Sequence, residues 1–340
     1  WYFLLAFNSI GFKVKKINKF KLHKMNILIY GFGRMGLTHF SILKGLNPDI
    51  NFSIIEPNKT LRTILKTNIN ANFFSNDADL NDPFDITLIT TPPSIHLNLL
   101  NKSIERGDKK IFVEKPFGGH NNHDFNNVLN LKHLYIGYVL RFNPCIQWVK
   151  SNISPNDIST IHGQYLSNTI ESKPKGWRNG PFSGVLNEMG SHVIDLLQYI
   201  LGENDMNVQT SKIQSIISDV DDIVEATLKT KSNLEVSIYL NWVKKDVRKP
   251  IFGIEIKMKD GCKYFIDQQQ IKKYSANGEY ESRVSVTDIS QTVPFYLRGV
   301  DFTNQMESLL NDGKEMSTFD DAVGVNLIMN KILNHENNIR

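Results

Sequence analysis

Cysteine is nearly absent. The 340-residue chain has two, Cys145 and Cys262, far apart and outside any C-x-x-C or Cys/His cluster, so a zinc site or a redox pair is not expected, no metal is called for, and a reducing cytoplasm fits. Long apolar runs are absent too. No stretch of about 18 apolar residues exists, and nothing is expected to span a bilayer. Internal repeats and low-complexity tracts are also missing, although Asn, Lys and Ile are abundant.

The chain also lacks a charge excess outside one segment. Its formal charge is +4, but residues 1–24 hold Lys13, Lys15, Lys16, Lys19, Lys21 and Lys24 and no acid, and the remainder has 33 bases against 35 acids. A near-neutral body gives no reason to expect a nucleic-acid partner. The apolar start, Trp1 to Phe12, precedes its lysines and has no small-residue cleavage site, which is the wrong order for a signal peptide. Met25 stands directly before the first predicted strand. Residues 1–24 are therefore read as upstream sequence translated ahead of the natural start, with an amphipathic membrane-surface helix as the alternative.

What is present is ordinary globular material: 41% hydrophobic and 22% charged residues, enough to bury a core. The length exceeds one usual core, so two domains sharing a cleft are expected. Asn26–Tyr30 (NILIY) reads as a strand buried on both faces, Met35–Leu46 as a helix and Phe52–Glu56 as a second strand, which makes a strand-helix-strand unit. Ile86–Thr90, a helix over Ser94–Glu105, Lys110–Val113 and Leu134–Tyr138 continue the alternation. That grammar predicts a doubly wound parallel sheet over 25–143.

From 144 to 340 strands come in neighbouring pairs. Phe252, Ile254, Ile256 and Met258 alternate with polar partners up to Asp260-Gly261 before Tyr264 and Ile266, Asn277-Gly278 marks a second hairpin, and Ala226–Trp242 suggests another pair. The reading is an α+β domain with a mainly antiparallel sheet covered on one face by helices. Those helices are Gly184–Leu201, stopped by Gly202, and later ones over Phe295–Leu310 and Thr318–Leu333.

Gly31-Phe32-Gly33-Arg34-Met35-Gly36 is G-x-G-x-x-G between a predicted strand and helix. There the glycines permit a tight turn, backbone approach to a pyrophosphate and close helix packing, and the helix N-terminus offers free N–H groups. Glu56, twenty residues past Gly36, can accept from both ribose hydroxyls and repel a 2′-phosphate, favouring NAD. Lys59 and Arg62 keep NADP open. A glycine turn that binds nothing is the alternative.

Four segments in this order resemble the glucose-fructose oxidoreductase, inositol dehydrogenase and rhizopine-catabolism (Gfo/Idh/MocA) family. They are Gly31–Gly36, Thr90-Thr91-Pro92-Pro93 with His96, Glu114-Lys115-Pro116, and Gly184 through Glu188 to His192. The resemblance runs from Met25 to about Asn334. It implies an N-terminal Rossmann domain, a C-terminal domain with a large open sheet, and a homodimer or homotetramer. It also gathers Phe32, Arg34, Met35, Thr90, Thr91, Pro92, His96, Glu114 and Lys115 around the dinucleotide.

Lys115 follows a strand at the carboxyl edge of the parallel sheet, where open α/β sheets bind ligands. In similar enzymes this lysine hydrogen-bonds the reacting oxygen; a solvated lysine is the plain alternative. Glu188 and His192 are four apart and share a helix face. Histidine titrates near neutrality, which suits a general base, and the family's matching histidine takes the hydroxyl proton. A satisfied histidine between helix and sheet is the alternative, with Asp195 able to orient the ring or to face water. The family usually has aspartate where this chain has Glu188, whose extra methylene moves the carboxylate by about 1.5 Å. Tyr138, Arg141, Asn143, Trp177 and Arg178 are candidates for a substrate rim, by stacking or by guanidinium hydrogen bonds.

The expectation is reversible hydride transfer between a nicotinamide and a carbinol carbon of a sugar, cyclitol or nucleotide sugar. A non-catalytic NAD-binding regulator and a reductase of C=N or conjugated bonds are the alternatives.

Overall fold

A computed structural model describes residues 25–117, 133–175, 178, 180, 183–289 and 299–337. Residues 1–24 and Trp177 lie outside the described residues.

The first sheet is built from β1 (Asn26–Tyr30), β2 (Asn51–Ile55), β3 (Asn72–Phe74), β4 (Ile86–Ile89), β5 (Ile111–Val113) and β6 (Leu134–Ile136), all parallel. Its helices are α1 (Arg34–Leu46), α2 (Lys59–Asn68) and α3 (His96–Arg106). The strand order 6-5-4-1-2-3 reverses direction at β1, which puts a crevice at the carboxyl ends of β1 and β4. The apolar run of β1 serves two cores. Ile27 and Ile29 join one with Phe40 and Leu43 of α1, whereas Leu28 and Tyr30 join the other with Leu100 of α3, as the two-residue strand period requires. The helix expected from Ser94 begins later. Pro93–Ile95 forms a tight 3-10 turn first, and α3 starts at His96 without a side-chain cap, because Pro93 favours the first position of a turn.

Past α4 (Pro144–Asn152) the second sheet begins with β7 (Ile158–Leu166), and α5 (Ser191–Leu201) follows. Next come β8 (Asn207–Gln214), β9 (Ile223–Lys229), β10 (Glu235–Asn241), β11 (Ile251–Met258), β12 (Lys263–Ile266), β13 (Gln270–Tyr274), β14 (Tyr280–Ser285) and the short α6 (Val286–Ile289). The order is 14-13-12-11-7-10-9-8, antiparallel except for the central β7–β10 pair. Alternate residues of β9, β10 and β11 are buried beneath α5 and α8 (Phe319–Asn337). The fit is close: a Cβ on Gly163 of β7 would stand 2.5 Å from Val193 Cγ1 of α5.

The chain then returns to the first sheet. Met306 and Leu309 of α7 (Val300–Leu310) enter the core that holds Ile27, Phe40 and Leu43, and β15 (Ser317–Thr318) pairs antiparallel with β6. Among the described residues no helix is long and apolar enough to cross a membrane.

Candidate active site

The turn after β1 is made for a phosphate. Gly31 has φ +83, and its N–H donates to the Ile55 carbonyl at 3.0 Å, fixing the loop to β2. A Cβ on Gly36 would lie 2.2 Å from the Gly31 carbonyl oxygen, so only glycine lets α1 pack this close. Gly33 caps α1 with no side chain, and a Cβ there meets nothing within 4 Å. Open space therefore faces the positive end of a 13-residue helix whose first turn has no acid and carries exposed Arg34, a fit for a pyrophosphate.

Flanking residues divide into those that face this space and those that brace it. Phe32 is 4% exposed, edge-on to Phe40 and Phe73, which leaves only its backbone for a ligand; Met35 is half-buried. The Thr90 hydroxyl reaches the Tyr30 and Gly31 carbonyls at 3.0 and 2.8 Å, while Thr91 is partly exposed and Pro92 exposed. Glu56 directly follows β2, and its Oε1 accepts from the Asn58 N–H at 2.9 Å. Arg62 spends its guanidinium on the Glu56 and Pro57 carbonyls, so it is committed to the backbone instead of waiting for a 2′-phosphate.

Two expected contacts need correction. Buried His96 donates from Nε2 to the Thr91 carbonyl at 2.7 Å, bracing the Thr90–Pro92 segment from behind. Glu114 is also buried, and His39 Nε2 donates to its Oε1 at 2.7 Å. Its Oε2 accepts from the Lys115 N–H at 3.3 Å, so both carboxylate oxygens are engaged within the protein.

Lys115, two residues past β5, donates from Nζ to the backbone carbonyl of Glu188 at 2.7 Å. Burial pushes its pKa below the usual 10.5; Glu188 and Glu114 oppose this, while Arg178 and Arg34 add to it. Glu188 sits in a π-helical turn, Leu186–Gly190, that runs into α5. Ser191 N–H reaches back to the Leu186 carbonyl, and such widened turns recur at functional sites. The Glu188 carboxylate takes the Ser183 hydroxyl at 3.1 Å and lies 3.3 Å from Arg178 Nη2. Its carbonyl and its carboxylate thus have separate partners.

His192 stands in the first turn of α5, and its buried Nδ1 has no hydrogen-bond partner among the described residues. Burial, reinforced by the Lys115 charge, lowers its pKa well below 6.5. A neutral imidazole at neutral pH can accept a proton. The Tyr138 ring meets it edge-on with centroids 5.9 Å apart; the Tyr138 hydroxyl is buried and has no partner among the described residues, and burial raises its pKa well above 10. Lys115, Glu188, His192, Tyr138 and Arg178 therefore form one cluster, near enough to the loop for the Arg34 charge to act on Lys115.

Arg141 and Asn143, expected at the rim, are in the interior. Arg141 is 4% exposed and grips Asp195 through Nε and Nη2 at 2.8 and 2.6 Å, with Asp321 at 3.1 Å. Asn143 caps α4 by accepting from Cys145 N–H and donates to the Gln268 carbonyl. Asp195 is held by Arg141 and the Ser317 hydroxyl, so it orients the helix and not the His192 ring. The sequence reading missed Asp221, which accepts from the first N–H groups of the helix bearing Glu188 and His192. The one local trace was Gly184, whose φ is +107 and whose missing Cβ leaves room for Asp221 Oδ1.

Residues 25–131 match the family model described as oxidoreductase family, NAD-binding Rossmann fold, and residues 156–258 match the GFO/IDH/MocA C-terminal domain. No curated protein sequence matches. Among solved structures, levoglucosan dehydrogenase in complex with NADH and levoglucosan is similar with a TM-score of 0.79, at 19% identity, covering 94% of this chain and 98% of that one. An oxidoreductase domain protein from Kribbella flavida gives 0.78 at 16% identity, with 94% and 98% covered. UDP-N-acetylglucosamine 3-dehydrogenase from Acidithiobacillus ferrooxidans gives 0.69 at 17%, with 93% and 97% covered. At such identities the likeness concerns the fold.

Proposed function

The chain belongs to the Gfo/Idh/MocA oxidoreductase family with an NAD-binding Rossmann domain, and we propose that it is a dehydrogenase acting on a carbinol carbon of a sugar, cyclitol or nucleotide sugar. The observation that carries this reading is geometric: Lys115 Nζ is held at 2.7 Å on the Glu188 carbonyl, four residues before His192, whose ring lies edge-on to Tyr138 with Nδ1 unpartnered among the described residues. Gly31, Gly33, Gly36 and the α1 N-terminus would hold the pyrophosphate, and Glu56 the adenosine ribose. A bound dinucleotide would supply the hydride acceptor, or in reverse the donor, at its nicotinamide C4.

The residues divide the remaining work. His192 takes the hydroxyl proton as the carbonyl forms and returns it in reduction. The Lys115 ammonium hydrogen-bonds the same oxygen and stabilises the negative charge that develops there. Its present acceptor, the Glu188 carbonyl, holds the amine in place, and a substrate oxygen would join or replace it. Glu188, locked by Ser183 and Arg178, offers a carboxylate to neighbouring hydroxyls. The sugar class is also supported by solved relatives of the fold named for levoglucosan and UDP-N-acetylglucosamine.

The test is incubation with NAD and a panel of sugars, cyclitols and nucleotide sugars while following NADH absorbance. Turnover of at least one is expected. Tight NAD binding by tryptophan quenching with no turnover of any would overturn the reading in favour of a regulator.

A further inference from the structure

We propose that Asp221 is a positioning residue whose ionised carboxylate clamps the start of the helix bearing Glu188 and His192 and thereby sets how the proton-transfer group is presented. This rests on the reading of His192 as the acid/base.

Asp221 lies on the connection between β8 and β9 and is buried. Its carbonyl accepts from Val185 N–H at 2.8 Å, and its Oδ2 accepts from Leu186 N–H at 2.6 Å. One residue therefore takes two of the N–H groups that a helix start leaves unpaired. Gly184 supplies the space, since a Cβ there would stand 2.0 Å from Asp221 Oδ1. The clamped turn leads directly into Leu186–Gly190, whose Glu188 carbonyl receives Lys115 and which opens α5 just before His192. A displacement of the Val185–Leu186 turn would be felt at both groups.

The charged surroundings make the clamp responsive to pH. Asp222, on the same strand entry, accepts from the N–H groups of Ile216, Ile217 and Ser218, the Ser218 hydroxyl and Trp242 Nε1, which holds its carboxyl below the ordinary range. Glu188 faces Asp221 from the helix. Burial first, then these two negative charges, push Asp221 up to about 7 against the pull of its backbone donors. The Lys173–Asp219 pair nearby is exposed. Below neutrality the clamp gains a proton and loses the charge that favours a helix N-terminus; above it the charge is complete. Stability runs the other way: the folded state holds this proton more tightly than the unfolded chain does, so the group's contribution falls as pH rises from about 4 to about 7.

The test uses the full chain labelled with 13C-histidine. Of its nine histidines, His192 is assigned from the signal lost in His192→Gln. Burial and the Lys115 charge hold the His192 pKa well below 6.5, so a shift step with a midpoint near 7 is expected to report its neighbour. In Asp221→Asn, which keeps the shape and one oxygen acceptor, the step should vanish. Asp195, pushed up to about 6 by burial, is the competing titration, and Asp221→Asn leaves it in place. A step that persists in Asp221→Asn, or no step in the parent, overturns the proposal; the parent titration stands even if the variant folds poorly.

With an active substrate, kcat of the parent should fall through the same midpoint, and Asp221→Asn should lose about fivefold at pH 8 while its profile flattens there, a loss of the size a helix cap accounts for. A purely structural cap would lower kcat equally at every pH. The Tm of Asp221→Asn relative to the parent should rise from pH 5 to pH 8. A histidine step without turnover of any substrate would retain the clamp and remove the dehydrogenase reading.

Discussion

Lys115 Nζ and the backbone carbonyl of Glu188 meet at 2.7 Å across 73 residues of sequence, joining the edge of the first sheet to the helix that covers the second. The bond holds the amine beside His192, and among the described residues no carboxylate is its direct partner, so its charge is available to a substrate oxygen. Replacing Lys115 by methionine keeps the length and removes the charge. kcat should drop by about 10²–10³, the usual cost of losing one donor to a developing oxyanion, with NAD affinity unchanged within a few-fold. Steady-state kinetics beside tryptophan quenching checks this, and turnover within tenfold of the parent would remove Lys115 from the chemistry.

The two lowered pKa values predict the shape of the pH profile for alcohol oxidation. His192 must be neutral to accept a proton, and burial keeps it so down to well below 6.5. Lys115 must be charged to stabilise the oxygen, and burial brings its loss of charge below 10.5. kcat/KM should therefore decline on the alkaline side at a midpoint under 10.5, and this limb should be missing from the residual activity of Lys115→Met. A limb of unchanged position in the variant would assign it to another group.

Much of this was legible because the signals are local. The run Asn26–Tyr30, the glycines after it and the helix from Arg34 all lie within 21 residues; Lys115 was read from a strand end, and His192 from its spacing to Glu188 on a helix over Gly184–Leu201. What escaped depends on distant partners. Arg141 and Asp195 are 54 residues apart and Asp221 and Leu186 are 35 apart, so nothing in their own neighbourhoods distinguished an exposed guanidinium from a buried one. The edge strand β8 (NVQTSKIQ) has no run of alternating burial, and α2 buries no residue at all. The strand therefore offers no period to read, whereas the helix carries Leu61, Ile64 and Leu65 at helical spacing without burying them fully.

The glycines of the loop should separate binding from folding. A Cβ at position 33 meets nothing, so Gly33→Ala should fold with an unchanged Tm yet bind NAD at least about tenfold more weakly, since the methyl group occupies the space a pyrophosphate needs. At position 36 the same atom would lie 2.2 Å from a backbone oxygen, and Gly36→Ala should lose both stability and NAD binding. Thermal melts with and without NAD distinguish the two. Full NAD affinity in Gly33→Ala would mean the dinucleotide does not cross that turn.

Arg141 provides the opposite contrast, a residue of plausible site chemistry with a structural role. Its side chain is 5% exposed and that of Asp195 1%, and the guanidinium also stacks on Tyr199 with its carbon 4.9 Å from the ring centroid. Arg141→Met leaves a buried carboxyl without its partner and should cost about 3–5 kcal/mol in denaturant unfolding. Adding Asp195→Leu removes the orphan and should recover part of that loss, because a buried pair costs more to break than to replace by apolar side chains. The substrate KM of whichever variant folds should stay within about threefold of the parent, the discrimination one modest contact can supply. A KM rise of a hundredfold with unfolding free energy unchanged would instead return Arg141 to the rim of the cleft.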